Sequence, residues 1–144
     1  MRVGVLALQG DWLAHGAMLT PLGVDVLPVR TAAALERATA LVVPGGESTA
    51  MLRLMEPERL DDLIAERIRR GMPALGICAG LILLASHVEP DQPSLGLLDV
   101  DVVRNAYGRQ VHSTIVPIEV DDELGEPASM EAVFIRAPRI TRQG

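Results

Sequence analysis

Apolar residues fall in short continuous blocks closed by polar turns, and between the blocks they recur at helical spacing. Arg2-Val3-Gly4-Val5-Leu6-Ala7-Leu8-Gln9 is apolar between its two ends, the pattern of a strand buried on both faces. Gly10-Asp11 closes it, and 12–22 reads as a helix interrupted near Pro21. Strands are expected at 24–29 and 40–44, with a short helix over 32–38 between them, capped by Thr31. Residues 51–55 look helical. A stronger helix over 57–70 carries Leu60, Leu63, Ile64 and Ile68 on one face and ends at Gly71. Residues 73–77 form the fourth apolar block.

This alternation of strand and helix argues an α/β fold with a mostly parallel sheet and helices on both faces, three layers in all. Ligands bind such sheets at the carboxyl ends of the strands. Gln9-Gly10, Pro44-Gly45-Gly46 and Cys78 all stand at such ends. After His87 the texture changes to a polar, proline-containing loop over 89–94, then further strands at 100–104, 112–120 and 132–135. Residues 1–144 read as one domain, long enough to bury a sizeable core.

Composition narrows the chemistry. Hydrophobic residues make up 49% but aromatics only 2%, so Val, Leu, Ile and Ala must fill the core. No apolar run approaches the ~20 residues of a membrane span, and the chain starts with a strand rather than a signal peptide. A single cysteine excludes an internal disulfide framework and fits a reducing cytoplasm. A net charge of −6 without a basic stripe argues against a nucleic-acid partner. All 13 basic residues are arginine, which rules out a Schiff-base lysine and a Walker-type phosphate loop. No group of residues has metal-ligand spacing, so neither a metal nor a cofactor is expected.

Cys78 lies in Gly76-Ile77-Cys78-Ala79-Gly80-Leu81, where an apolar strand breaks into an apolar helix. The small neighbours permit the strained turn that presents a nucleophile, and the start of a helix favours a thiolate. A buried small hydrophobe is the plainer reading of a lone cysteine. Gly45-Gly46-Glu47-Ser48 follows the third strand. Two glycines there free backbone N–H groups for an oxyanion hole, built from the N–H of Gly46 and that of Ala79. Ser48 is placed to cap the next helix and Glu47 to hold an ammonium group, although the same residues also fit a simple tight turn.

A cysteine nucleophile needs a base, and the histidines are His15, His87 and His112. His87-Val88-Glu89 stands nine residues beyond Cys78; a continuous helix would separate them by roughly 13 Å. It reads as a solvated helix end. His15 in the first helix and His112 at the start of a strand read as structural or surface residues. No triad closes. Arg104 and Arg136, each in a turn at a strand end, are surface charges or hold a small carboxylate.

Five segments taken together resemble one family. They are Val5-Leu6-Ala7-Leu8-Gln9-Gly10, Pro44-Gly45-Gly46-Glu47-Ser48-Thr49, Gly76-Ile77-Cys78-Ala79-Gly80-Leu81, Arg104-Asn105-Ala106-Tyr107-Gly108-Arg109-Gln110 and Phe134-Ile135-Arg136-Ala137-Pro138. The family is that of the glutaminase subunits of pyridoxal 5'-phosphate synthase, class I glutamine amidotransferases with a flavodoxin-like fold. The resemblance implies that Cys78 attacks the side-chain amide of L-glutamine, with the oxyanion held at Gly46 and Ala79. It implies that Gly46, Glu47, Ser48, Arg104, Ile135 and Arg136 contact the glutamine. Ammonia would pass to a synthase subunit, the hetero-oligomeric partner in vitamin B6 synthesis, and Gln9 would touch that partner.

The family carries its catalytic histidine and glutamate in a later Phe-His-Pro-Glu-like segment, followed by a terminal helix. This sequence reaches Gly144 without that segment. The resemblance therefore implies a domain incomplete at its C-terminus, lacking the last strand and helix of the fold, with an exposed edge and little activity of its own. Two other readings stand beside it. One is an inactive subunit that only docks on the synthase or binds glutamine; the other is a cysteine hydrolase or thiol stress protein on the same scaffold.

Overall fold

A computed structural model of the chain describes residues 1–108, 113–120 and 129–144. Four short parallel strands make the central sheet, in the order β2-β1-β3-β4: β1 Arg2–Leu6, β2 Asp25–Val29, β3 Ala40–Val43 and β4 Ala74–Gly76. Every link between them crosses over through helix, which is why the strands run parallel. Helix α1 (Trp12–Leu19) leads into a 3-10 turn over Thr20–Leu22, where Pro21 sits in the first turn without a donor to lose. Thr31 caps α2 (Ala32–Glu36), its hydroxyl accepting the Ala34 N–H at 3.3 Å. Helices α3 (Ser48–Met55) and α4 (Leu60–Arg69) cover the third crossover.

Alternate residues of the strands face opposite layers. Val3, Val5 and Val42 pack with Trp12 and Leu19 of α1. Leu6, Leu41 and Val43 pack with Leu35, Met51, Met55, Leu60 and Ile64 from α2, α3 and α4. Each of these larger side chains, fully buried, stabilises the fold by about 1.5–3 kcal/mol. Leu63 and Ile68, placed by the sequence on the buried face of α4, are partly buried against the same cluster.

After β4 the chain turns sharply into α5 (Ala79–Leu84), which is packed tightly on β3. Gly80 makes that approach possible: a Cβ there would sit 2.0 Å from the Val43 carbonyl oxygen. The expected helix beyond this point is not formed. Strand β5 (Ala85–Glu89) begins directly, so His87 lies in a strand rather than at a helix end. Its Nδ1 is 3.5 Å from Asp101 Oδ1.

Strand β5 pairs in parallel with β6 (Leu98–Val103), which pairs antiparallel with β9 (Arg139–Gln143). This last strand, with two arginines among its residues, was not expected from the sequence. Arg142 explains it: its guanidinium pairs with Asp99 at 2.5 Å and Asp101 at 3.0 Å on β6. A separate antiparallel pair joins β7 (Thr114–Glu119) to β8 (Ser129–Phe134). Among the described strands β4 pairs only with β3, and its Leu75 is 58% exposed.

Candidate active site

The carboxyl ends of β1, β3 and β4 converge where the sequence placed its chemistry. Cys78 occupies the junction between β4 and α5 with φ 52° and ψ −103°. That backbone conformation is strained for a side chain bearing a Cβ, and such strain persists only where the surrounding structure holds it. Asn105 (φ 51°) and Arg136 (φ 47°) are also in positive-φ conformations. All three line one cleft of about 260 Å³, together with Gly46, Glu47, Ser48, Ile82, Arg104 and Ile135. A second, more apolar cleft of about 320 Å³ adjoins it, sharing Gly46, Cys78, Ile135 and Arg136.

Gly45 passes so close to Cys78 that a Cβ on it would stand 3.5 Å from the cysteine Cβ. The neighbouring Gly46 has φ +153°, and a Cβ there would lie 2.6 Å from Gln9 Oε1. Among the described residues neither the Gly46 N–H nor the Ala79 N–H has a hydrogen-bond partner. Ala79 is 1% exposed, so an unpaired donor there is costly unless a ligand accepts it.

Glu47 takes the helix-capping role that the sequence suggested for Ser48. Glu47 is the N-cap of α3: its carboxylate accepts the Ala50 N–H at 2.8 Å and the Thr49 hydroxyl. Ser48 is the first helical residue, 2% exposed, and its hydroxyl donates to Gln92 Oε1 at 2.9 Å. Glu47 stands at the N-cap, from which its carboxylate reaches forward to the N–H three residues on, whereas Ser48 is already inside the helix. The Thr49 hydroxyl bond holds the Glu47 carboxyl below the usual range; partial burial opposes this, while backbone N–H groups and Arg104 reinforce it.

Arg104 Nη2 lies 3.3 Å from Glu47 Oε1 across the cleft. Its turn is tied to the Arg136 turn, because Ala106 N–H donates to the Ala137 carbonyl at 3.1 Å. Tyr107 and Phe134 stack between the same two segments, their ring centroids 4.8 Å apart. The structure thus gathers Gly46, Glu47, Ser48, Cys78, Arg104, Ile135 and Arg136 around one cleft, with Ala79 buried directly behind Cys78. His15 is in α1 and His87 in β5, and neither lines the two clefts; His112, with Arg109 and Gln110, lies outside the described residues.

Sequence reasoning passed over three residues here: Ile82, Asn105 and Gln92. Asn105 carried a signal, since asparagine tolerates the left-handed region better than most residues. Gln92 carried none. It stands in a polar loop between prolines, and only the folded chain shows it 7% exposed against Ser48.

The chain is similar to known proteins in sequence and fold. The sequence model of the SNO glutamine amidotransferase family matches residues 5–144. The chain is 46% identical over 145 residues to the pyridoxal 5'-phosphate synthase subunit PdxT of Thermosipho africanus, covering all of this chain and 76% of that protein. It is 49% identical to the subunit of the same name from a Nocardioides species, covering 99% of this chain and 71% of that one. Among solved structures, one described as a glutamine amidotransferase superposes with a TM-score of 0.88 at 44% identity, over 99% of this chain and 75% of its own. A putative peptidase E from Listeria monocytogenes, at 20% identity and a TM-score of 0.59, shares the fold alone.

Proposed function

The chain belongs to the SNO glutamine amidotransferase family, and from that membership we propose that it is the glutaminase subunit of a pyridoxal 5'-phosphate synthase. It hydrolyses L-glutamine to L-glutamate and ammonia through a thioester on Cys78. Arg104 and Arg136 take the α-carboxylate, while Glu47 and Ser48 face the α-ammonium group, with Ile135 against the side chain. These groups hold the side-chain carboxamide against Cys78.

The thiolate of Cys78 adds to the carboxamide carbon, and the oxygen gains a negative charge. The N–H groups of Gly46 and Ala79 stabilise that charge; removing one such donor typically costs about 10²–10³ in rate. The C–N bond then breaks, the nitrogen leaves as ammonia with the proton given up by the thiol, and a γ-glutamyl thioester remains. Water adds to the thioester, and collapse releases glutamate and restores the thiol. Ammonia passes to the synthase subunit. No metal or cofactor enters these steps.

We read 1–144 as one amidotransferase domain working in the reducing cytoplasm. The free Cys78 supports that reading. The observation that carries the proposal is the strained Cys78 in a cleft lined by Gly46, Glu47, Ser48, Arg104 and Arg136. Its test is ammonia release from glutamine in the presence of the synthase subunit, with Cys78→Ala alongside. Loss of release in the variant, with synthesis rescued by added ammonium, is the expected result; glutamine turnover unaffected by Cys78→Ala overturns it.

A second reading rests on one specific observation. Among the described residues, no histidine lines either cleft beside Cys78. A subunit that binds glutamine and docks on the synthase without turnover would protect Cys78 from alkylation when glutamine is present, yet release no ammonia.

A further inference from the structure

Two polar side chains among the described residues are buried, Ser48 at 2% and Gln92 at 7%, and they are bonded to each other. They come from segments 44 residues apart, the first turn of α3 and the loop before β6. Burial of two uncharged polar groups is tolerated because each satisfies the other. The orientation of the amide is fixed at its other end: Gln92 Nε2 donates to the Pro93 carbonyl at 3.4 Å, which leaves Oε1 to face Ser48. Gln92 Oε1 therefore accepts the Ser48 O–H at 2.9 Å, and toward the cleft that Ser48 lines the hydroxyl has only lone pairs left to offer.

The start of a helix, with its unpaired N–H groups, ordinarily favours an anion. Here the side chains at that corner are both acceptors. Glu47 is an ionised carboxylate, and Ser48 is committed to donating elsewhere. Released from Gln92, the Ser48 hydroxyl would rotate freely and donate to an anion just as well.

We propose that Gln92 is a positioning residue that fixes Ser48 as an acceptor, so that this end of the cleft selects a ligand bearing an α-ammonium group. The ligand, L-glutamine, rests on the glutaminase reading above; the polarity of Ser48 does not. Gln92 touches no substrate. It acts through Ser48, and its removal changes which ligand is preferred rather than only how stable the fold is.

The experiment is protection of Cys78 from alkylation, followed by intact mass, with L-glutamine and with glutaramic acid, which lacks the α-amino group. Wild type is expected to prefer glutamine. In Gln92→Met the preference falls about tenfold, the scale of one hydrogen bond to a charged group. Ser48→Ala loses the same preference, and the double variant loses no more. Gln92→Glu, which keeps an oxygen facing Ser48, retains it; this variant also carries the test if Gln92→Met does not fold.

A merely structural Gln92 would weaken both ligands equally. Unchanged preference in Gln92→Met, loss in Gln92→Glu matching Ser48→Ala, or additive losses in the double variant each overturn the inference while leaving the glutaminase reading intact. Absence of any glutamine protection in wild type overturns both.

Discussion

Gln9 Oε1 accepts the backbone N–H of Glu47 at 2.9 Å, so the end of the first strand holds the glycine loop that follows the third. The bond spans 38 residues and fixes the peptide beside Gly46, whose N–H is assigned to the oxyanion. The side chain thus works inside the chain, whatever a partner does with its Nε2. Gln9→Leu is expected to raise the glutamine concentration for half-protection of Cys78 by five- to tenfold, at about 1 kcal/mol in stability. Gln9→Glu keeps the acceptor and should stay within twofold of wild type. Equal protection by Gln9→Leu and wild type would show that the loop holds itself.

Cys78 pays a conformational cost for its position, φ 52° and ψ −103°. A residue held in such a region costs of order 1–3 kcal/mol, and glycine avoids most of it while losing more entropy on folding. Cys78→Gly should therefore be more stable to urea than wild type, by about 1 kcal/mol, while losing ammonia release from glutamine and the thiol that alkylation reads. A midpoint below that of wild type would mean the elbow is not strained.

The parallel core was legible because its signal is local. A strand buried on both faces must be apolar throughout, as Val3 to Leu6 are, and its crossover helices announce themselves by Thr31 and by the Leu60 and Ile64 face. The site was legible as far as its backbone needs glycine beside the nucleophile. What escaped depends on partners distant in sequence. β9 is charged and exposed, and only Asp99 and Asp101 across the sheet give Arg142 a reason to lie in a strand. The strand at His87 escaped because Leu81 to Leu84 read as helix with nothing to mark its end. Gln92 looks like loop until Ser48 is placed against it.

Glu47 gives a pH signature. Its carboxyl is held below the ordinary value of 4.5, first by the Thr49 hydroxyl, so the folded state binds its proton less readily than the unfolded one. Its contribution is therefore complete at neutral pH and is lost as pH falls through the lowered value. The stability gap between wild type and Glu47→Gln should be widest near pH 7 and narrow below pH 4.5, read as urea midpoints. Glutamine protection of Cys78 should fade over the same acid range in wild type only. A gap constant from neutral to acid pH would assign the capping to geometry rather than charge.

Gly80 and Gly16 make a controlled pair. Both are helical, but a Cβ on Gly80 meets the Val43 carbonyl oxygen at 2.0 Å, whereas on Gly16 it meets Val26 Cγ1 at 3.6 Å, an ordinary contact. The Val43 carbonyl cannot step aside, because it accepts the Ile77 N–H at 3.0 Å and so joins β3 to the turn after β4 that carries Cys78. Gly80→Ala must push α5 away from β3 and is expected to cost about 3 kcal/mol, with weaker glutamine protection of Cys78 two residues away. Gly16→Ala should instead gain about 0.5–1 kcal/mol from helix propensity, with protection unchanged. Urea melts of the two variants side by side read the difference, and equal midpoints would mean that α5 does not hold Cys78 against the sheet.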